Sequence, residues 1–179
     1  MPADTQWPTF EVFQQDRPGR PHKNIGSVHA PDAEIALQNA RDVFVRRPRC
    51  HSLWVVPATA ILARTRQEIE AGILEPLRAD PAGATETYLV FQKRNQRNAM
   101  EFVEHVGAVE AYTPEQALAR AVDTFGLDSG WVWWVFPERA FARSAEEDIP
   151  SMFAPAETKT YKRPQEYRTL TMMKEVRRG

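Results

Sequence analysis

The chain has 179 residues, of which 42% are hydrophobic and 26% charged, a balance that excludes a disordered chain and points to a globular fold. Its formal net charge of −1 supplies no overall basic field for nucleic acid and no acidic field for basic partners. The one cysteine, Cys50, excludes an intramolecular disulfide and a thiolate metal cage. The longest apolar run, Trp131 to Pro137, suits one buried strand and falls far short of a membrane span. Residues 1–8 lack a basic region followed by an apolar core, so no signal peptide is expected, and a reducing cytoplasm is the expected location.

Phe10 to Gln14 has the aromatic and β-branched density of a strand. Pro18-Gly19 marks a turn, and Asn24 to Ala30 predicts a second strand. Asp32 is placed to cap a helix in which Ala33, Ala36, Leu37, Ala40 and Phe44 share a face, with Pro48 ending it. Arg46, Arg47 and Arg49 read as a solvated helix end, and Lys159, Lys162, Arg163 and Arg168 as a solvated tail. Leu53 to Val56 predicts a third strand. Arg64 to Leu77 carries an Ile69, Ile73, Leu77 stripe, a connecting helix weakened by Gly72 and Pro76. Asp80 to Gly83 is the expected linker.

Tyr88 to Gln92 and Phe102 to Ala111 then predict two more strands, with Gly107 marking a bulge or a close backbone approach. Thr113-Pro114-Glu115-Gln116 predicts a capping box opening a helix with Ala117, Leu118, Ala121, Val122 and Phe125 on one face. Gly126 is a natural stop. Trp131 to Phe136 predicts a strand apolar on both faces, Trp131 and Trp133 on one, Trp134 and Phe136 on the other. Its own helix covers one face. The other needs the sister segment, the tail or a partner protein. From Ser144 onward, charge and Pro150, Pro155 and Pro164 predict an extended, irregular arm that packs through Met152, Phe153, Tyr161, Tyr167, Leu170, Met172 and Met173.

These elements occur twice. Phe10-Glu11-Val12-Phe13-Gln14 returns 78 positions later as Tyr88-Leu89-Val90-Phe91-Gln92. Gly26 is matched by Gly107, Ala36-Leu37 by Ala117-Leu118, and Ala40, Asp42 and Phe44 by Ala121, Asp123 and Phe125. Trp54-Val55-Val56-Pro57 is matched by Trp134-Val135-Phe136-Pro137. A unit present only twice does not make a solenoid. It suggests two fused subunits that once met across a two-fold axis.

The search for chemistry is mostly negative. No Glu-x-x-His, His-Glu-x-x-His, dinucleotide fingerprint or phosphate loop occurs. Gly126-Leu127-Asp128-Ser129-Gly130 has the outer glycines of a nucleophile elbow but aspartate at its centre. Cys50-His51 could pair as nucleophile and base, although neighbours in an extended segment face opposite ways. His29, with Glu110 at its place in the second copy, could meet a partner's carboxylate or simply be a satisfied surface histidine. Five tryptophans suit either a core or binding hot spots.

The pattern Trp7-Pro8-x-Phe10-Glu11-Val12-Phe13, then Gly26-Ser27-Val28-His29-Ala30-Pro31-Asp32-Ala33, then Ser52-Leu53-Trp54-Val55-Val56-Pro57-Ala58, resembles the small B subunit of the phenylacetyl-CoA epoxidase complex of aerobic phenylacetate degradation. Phe153-Ala154-Pro155-Ala156-Glu157-Thr158-Lys159-x-Tyr161-Lys162-x-Pro164 looks like the C-terminal end of the same family's short chain. The chain departs from the family by its double length and by the loss of Gly-Ser-x-His-Ala from the second copy. The resemblance implies a non-catalytic bridge whose di-iron chemistry lies in a separate oxygenase subunit, with a structural relative beside it and a flavin/iron–sulfur reductase.

The expected fold is therefore α+β, with two ββαβ repeats whose antiparallel sheets are each packed by one helix. They form an intrachain pseudo-dimer with an extended C-terminal arm. Residues 1–80 form the first repeat and 81–179 the second. The expected function is a bridging subunit of a phenylacetyl-CoA 1,2-epoxidase, itself not an enzyme, without cofactor or metal. Its expected partners are the catalytic and structural oxygenase subunits, with no nucleic acid and no membrane. The expected partner contacts are Trp54, His29, Trp131, Trp133, Phe153, Tyr161 and Tyr167. The rival is a stand-alone small-molecule or acyl-CoA binding module with its pocket between the repeats. An enzyme built on Cys50 and His51 ranks last.

Overall fold

A computed structural model describes residues 6–45, 50–73, 84–95 and 102–158. In chain order its elements are β1 (Thr9–Gln15), β2 (Lys23–His29), α1 (Ala33–Phe44), β3 (Ser52–Pro57), β4 (Leu62–Thr65) and α2 (Arg66–Glu68). Then come β5 (Glu86–Lys93), β6 (Glu104–Ala111), α3 (Pro114–Phe125), β7 (Val132–Pro137), β8 (Ala142–Arg143) and α4 (Ile149–Thr158). The fold is α+β, as expected.

The β1–β2 turn closes with Arg20 N–H donating to the Arg17 carbonyl at 3.2 Å, with Pro18 and Gly19 at its centre and Gly19 at φ +77°. Asp32 caps α1, its carboxylate accepting from Ile35 N–H at 2.9 Å. At α3 the Thr113 hydroxyl accepts from Gln116 N–H at 3.1 Å. The expected return bond is displaced: the Gln116 side-chain oxygen takes Tyr112 N–H, one residue before the cap. A full capping box sits instead at Thr65 and Glu68, opening α2. That helix runs on as a π turn over Ile69–Ile73, with Gly72 at φ +87°. Arg64 and Thr65, expected to open the connecting helix, belong to β4 instead, because they pair with Trp133 and Val132 of β7. Residues 74–77 of that helix and the linker at 80–83 lie outside the described residues.

Two separate sheets were expected; the strands form one eight-stranded sheet in the order β4-β7-β5-β6-β2-β1-β3-β8. All neighbours are antiparallel. β1 lies between β2 and β3, and β5 between β6 and β7. The unexpected elements are the edges. β4 follows β3 in sequence yet pairs with β7, and β8 follows β7 yet pairs with β3. The reason is the outer ladder of β3 and of β7, whose open backbone groups each need a partner. Each is covered from the other half of the chain.

Both ladders carry a bulge at the same place, with the extra residue on β2 (Ile25) and on β6 (Val106). The register steps from Val12↔Gly26 to Phe13↔Asn24, and from Val90↔Gly107 to Phe91↔His105. The glycines let helix side chains close in. A Cβ on Gly26 would sit 2.9 Å from Phe44 Cζ, and one on Gly107 2.7 Å from Phe125 Cζ. Gly107 thus fills both roles expected of it.

Three clusters of buried side chains hold these layers. Phe10, Val12, Leu53 and Val55 pack under Ala36 and Ala40 of α1. Tyr88, Val90, Trp133 and Val135 pack under Ala117, Leu118 and Ala121 of α3. The opposite faces of the strands meet in a third cluster of Phe13, Val56, Leu89, Phe91, Val103 and Phe136. Phe13 on β1 and Phe91 on β5 are three strand spacings apart in the sheet, ~14 Å if it were flat. Their ring centroids lie 4.5 Å apart, so the sheet curls until its inner face meets itself. This answers what covers the second face of β7: the other half of the chain.

The C-terminal region departs from its expected extended form where it is described. Ile149–Thr158 is helical, with Pro155 inside. Proline in a helix interior costs about 3 kcal/mol. Burial of Phe153 and Ala156 against the first cluster offsets that cost.

Candidate interaction surface

The expected contact residues scatter. Trp133 is fully buried under α3, and Phe153 is buried against the first core cluster. Neither ring faces solvent, so both leave the exposed surface. Strand alternation put Trp133 and Val135 on a common face, and α3 is what closes that face. Tyr161 and Tyr167 lie outside the described residues. Trp131, half-buried at the start of β7, lies beneath the Arg66 guanidinium, with Arg66 Cζ 5.3 Å from the ring centroid.

His29 is exposed at the end of β2. Its Nδ1 donates to the Trp7 carbonyl at 3.0 Å, and the Thr9 hydroxyl lies 3.4 Å away. Asn39 donates to the His29 carbonyl at 3.0 Å, tying this corner to α1. The corner presents Trp7, which is 59% exposed and was not among the expected contacts. The signal was there, because Trp7 opens the pattern that carries the resemblance.

Trp54 is half-buried at the centre of a polar and aromatic cluster. The His22 ring stacks on it at 3.6 Å and 19°, Phe141 lies 4.7 Å away and His105 5.8 Å. His22 Nε2 meets the Ser52 hydroxyl at 3.2 Å. Burial, with lesser contributions from His105 and His51, lowers the His22 pKa to about 4, so this ring is neutral at pH 7. Burial likewise lowers the His105 pKa, and its Nε2 has no hydrogen-bond partner among the described residues. These histidines flank the thin join between β2 and β6. That join is one register pair, Lys23↔Glu104, with the ion pair between those side chains. Two backbone bonds complete it, Asn24 N–H to Val103 O at 3.0 Å and His105 N–H to His22 O at 2.8 Å. Glu11, half-buried on β1, accepts from Asn24 at 2.8 Å. Burial still raises its pKa.

A cleft of about 480 Å³ opens beside this cluster, lined by His22, His51, Ser52, Trp54, Arg143 and Glu146 among others. Its walls come from both halves of the chain, Gln15 to Trp54 from the first and Arg143 to Pro150 from the second; a cleft between the halves was expected, but not which residues line it. Cys50 is not among its lining residues. Burial pushes the thiol up to about 12 against weak opposing bonds from Gln14 and Ser52, leaving it protonated. Among the described residues no three His, Cys, Asp or Glu side chains are grouped to hold a metal ion. No described helix is long and apolar enough to cross a membrane. The aromatic centre of the seam is filled by the rings of Phe13, Phe91 and Phe136 at 4.5–5.6 Å, and a second cleft, of about 410 Å³, opens between the halves where Gln14, Lys23 and Ile25 face Phe102 and Glu104.

No solved structure matches the chain at a significant level. The chain is 42% identical over 66 residues to the B subunit of 1,2-phenylacetyl-CoA epoxidase from Escherichia coli (strain K12), covering 37% of this chain and 70% of that protein. The family described as phenylacetic acid degradation B matches residues 6–81 and again residues 84–174. With both stretches matched, the chain belongs to the phenylacetic acid degradation B family.

Proposed function

We propose that this chain is a bridging, non-catalytic subunit of a multicomponent phenylacetyl-CoA epoxidase in phenylacetate catabolism, and that its two halves act as a dimer made covalent. The observation that carries the reading is the double family match, at residues 6–81 and 84–174. The division at residues 80 and 81 belongs to this reading. The recurring strand pairing, β1 between β2 and β3 and β5 between β6 and β7, supports the pseudo-dimer. Fusion keeps the second half at an effective concentration on the order of mM.

In this reading the catalytic and structural oxygenase subunits are the partners, in the cytoplasm, and the iron chemistry is theirs. The contacts are the exposed Trp7–His29 corner and the rims around Trp54 and Trp131. Co-expression with the oxygenase subunits and size-exclusion chromatography test the reading. Co-elution in a stable complex is expected. Elution of this chain alone, with the oxygenase fully active without it, overturns the proposal.

A further inference from the structure

The molecule builds one location twice and fills it once. The cleft of about 480 Å³ at the start of β3 has a counterpart at the start of β7, a recess of about 160 Å³ walled by Thr65, Arg66, Lys93, Trp131 and Val132 among others. The walls correspond along the chain. His51 and Trp131 are 80 positions apart, as are Ser52 and Val132, and Glu146 stands 80 positions after Arg66. In the second half an indole occupies the space. Trp131 lies under Arg66, whose guanidinium is held by Glu70 at 2.7 Å and by Asp128. A ring, a cation and a carboxylate complete that site from within the chain. In the first half the imidazole of His51 and the hydroxyl of Ser52 are too small to do so.

The open cleft retains the complementary groups. Trp54, stacked on the neutral His22, gives an aromatic wall. Arg143, exposed on β8, has no carboxylate partner among the described residues. Glu146 on the same cleft can accept the N–H of an indole or the O–H of a phenol. We propose that this cleft is a socket for a tryptophan or tyrosine side chain of a partner protein, with a neighbouring carboxylate of that partner on Arg143. Aromatic anchors in such pockets dominate binding energy, and a charge-assisted bond to arginine fixes their orientation. The inference rests on the bridging function and says which surface does the bridging.

The test is to install in the first half what the second already has. Wild type, His51→Trp and Arg143→Glu are each co-expressed with the oxygenase subunits. Affinity is then measured by biolayer interferometry, and folding by thermal melting. The socket predicts that wild type binds and that each variant binds at least tenfold more weakly at unchanged melting temperature. Wild-type affinity in both variants overturns the socket while leaving the bridging function intact. Failure of wild type to bind overturns both. Should His51→Trp fail to fold, the exposed Arg143→Glu decides the matter alone. Stabilisation of the isolated chain by phenylacetyl-CoA that His51→Trp abolishes overturns the proposal in favour of a small-molecule site.

Discussion

Gly26 and Gly107 occupy matching positions for a shared steric reason. At each, a phenylalanine ring from the neighbouring helix lies where a methyl group would go, at 2.9 and 2.7 Å. Gly26 adds a backbone cost, since its φ of +134° disfavours any side chain. Gly26→Ala is expected to cost about 1–3 kcal/mol in urea unfolding, and a second change, Phe44→Leu, is expected to recover the steric part but not the backbone part. The lone glycine in a strand pattern was legible in the sequence. Its phenylalanine partner was not, because a stripe on a helix says which residues share a face and nothing of what each one touches. The same gap hid the burial of Trp133, whose place in the alternation was clear while its cover was not. His22 carries a pH prediction. Its folded pKa of about 4 lies below the ordinary 6.5, so the unfolded chain takes up the proton first. Stability is then level above about pH 6.5 and falls towards pH 4, by on the order of 1–3 kcal/mol. Denaturant midpoints measured across that window should show the slope, and His22→Gln should flatten it.

Helices α1 and α3 were readable because their ends are chemical. Asp32 and Thr113 each accept the N–H bond that the sequence assigns them. Asp32→Ala is expected to cost about 1 kcal/mol in chemical denaturation with the fold unchanged by circular dichroism. Other elements escaped notice for physical reasons. β8 has two residues, too few for any alternation, and β4 owes its strand form to the open ladder of β7. α4 was hidden by Pro150 and Pro155, which argue against a helix unless tertiary burial overrides them. A trace was present all the same. Ile69 and Ile149 are 80 positions apart, as are Ile73 and Phe153, so α4 stands where the turns after β4 stand in the first half. Since α4 is held by what it buries, Phe153→Ala is expected to cost about 3–5 kcal/mol and to loosen residues 149–158 first in hydrogen exchange.

At the scale of the molecule, doubling was plain in the sequence and the single sheet was not. The residues that reveal the repeat are those each half keeps for itself, while the strands that join the halves are short. The inner seam should carry much of the stability. Phe13→Ala removes a fully buried ring packed on Phe91, Trp134 and Phe136, and an expected loss of about 3–5 kcal/mol should appear in the melting curve of the entire chain as one transition. The traded margins β4 and β8 carry a further implication for the cell. A ribosome halted between the halves would release a product whose β3 never receives β8 and whose β4 has no β7 to lie against. Such a fragment is not a smaller working version of the protein but an adhesive one, with two raw hydrogen-bonding seams on display. Premature stop codons ahead of β7 should therefore yield inclusion bodies or rapid proteolysis rather than a functional remnant.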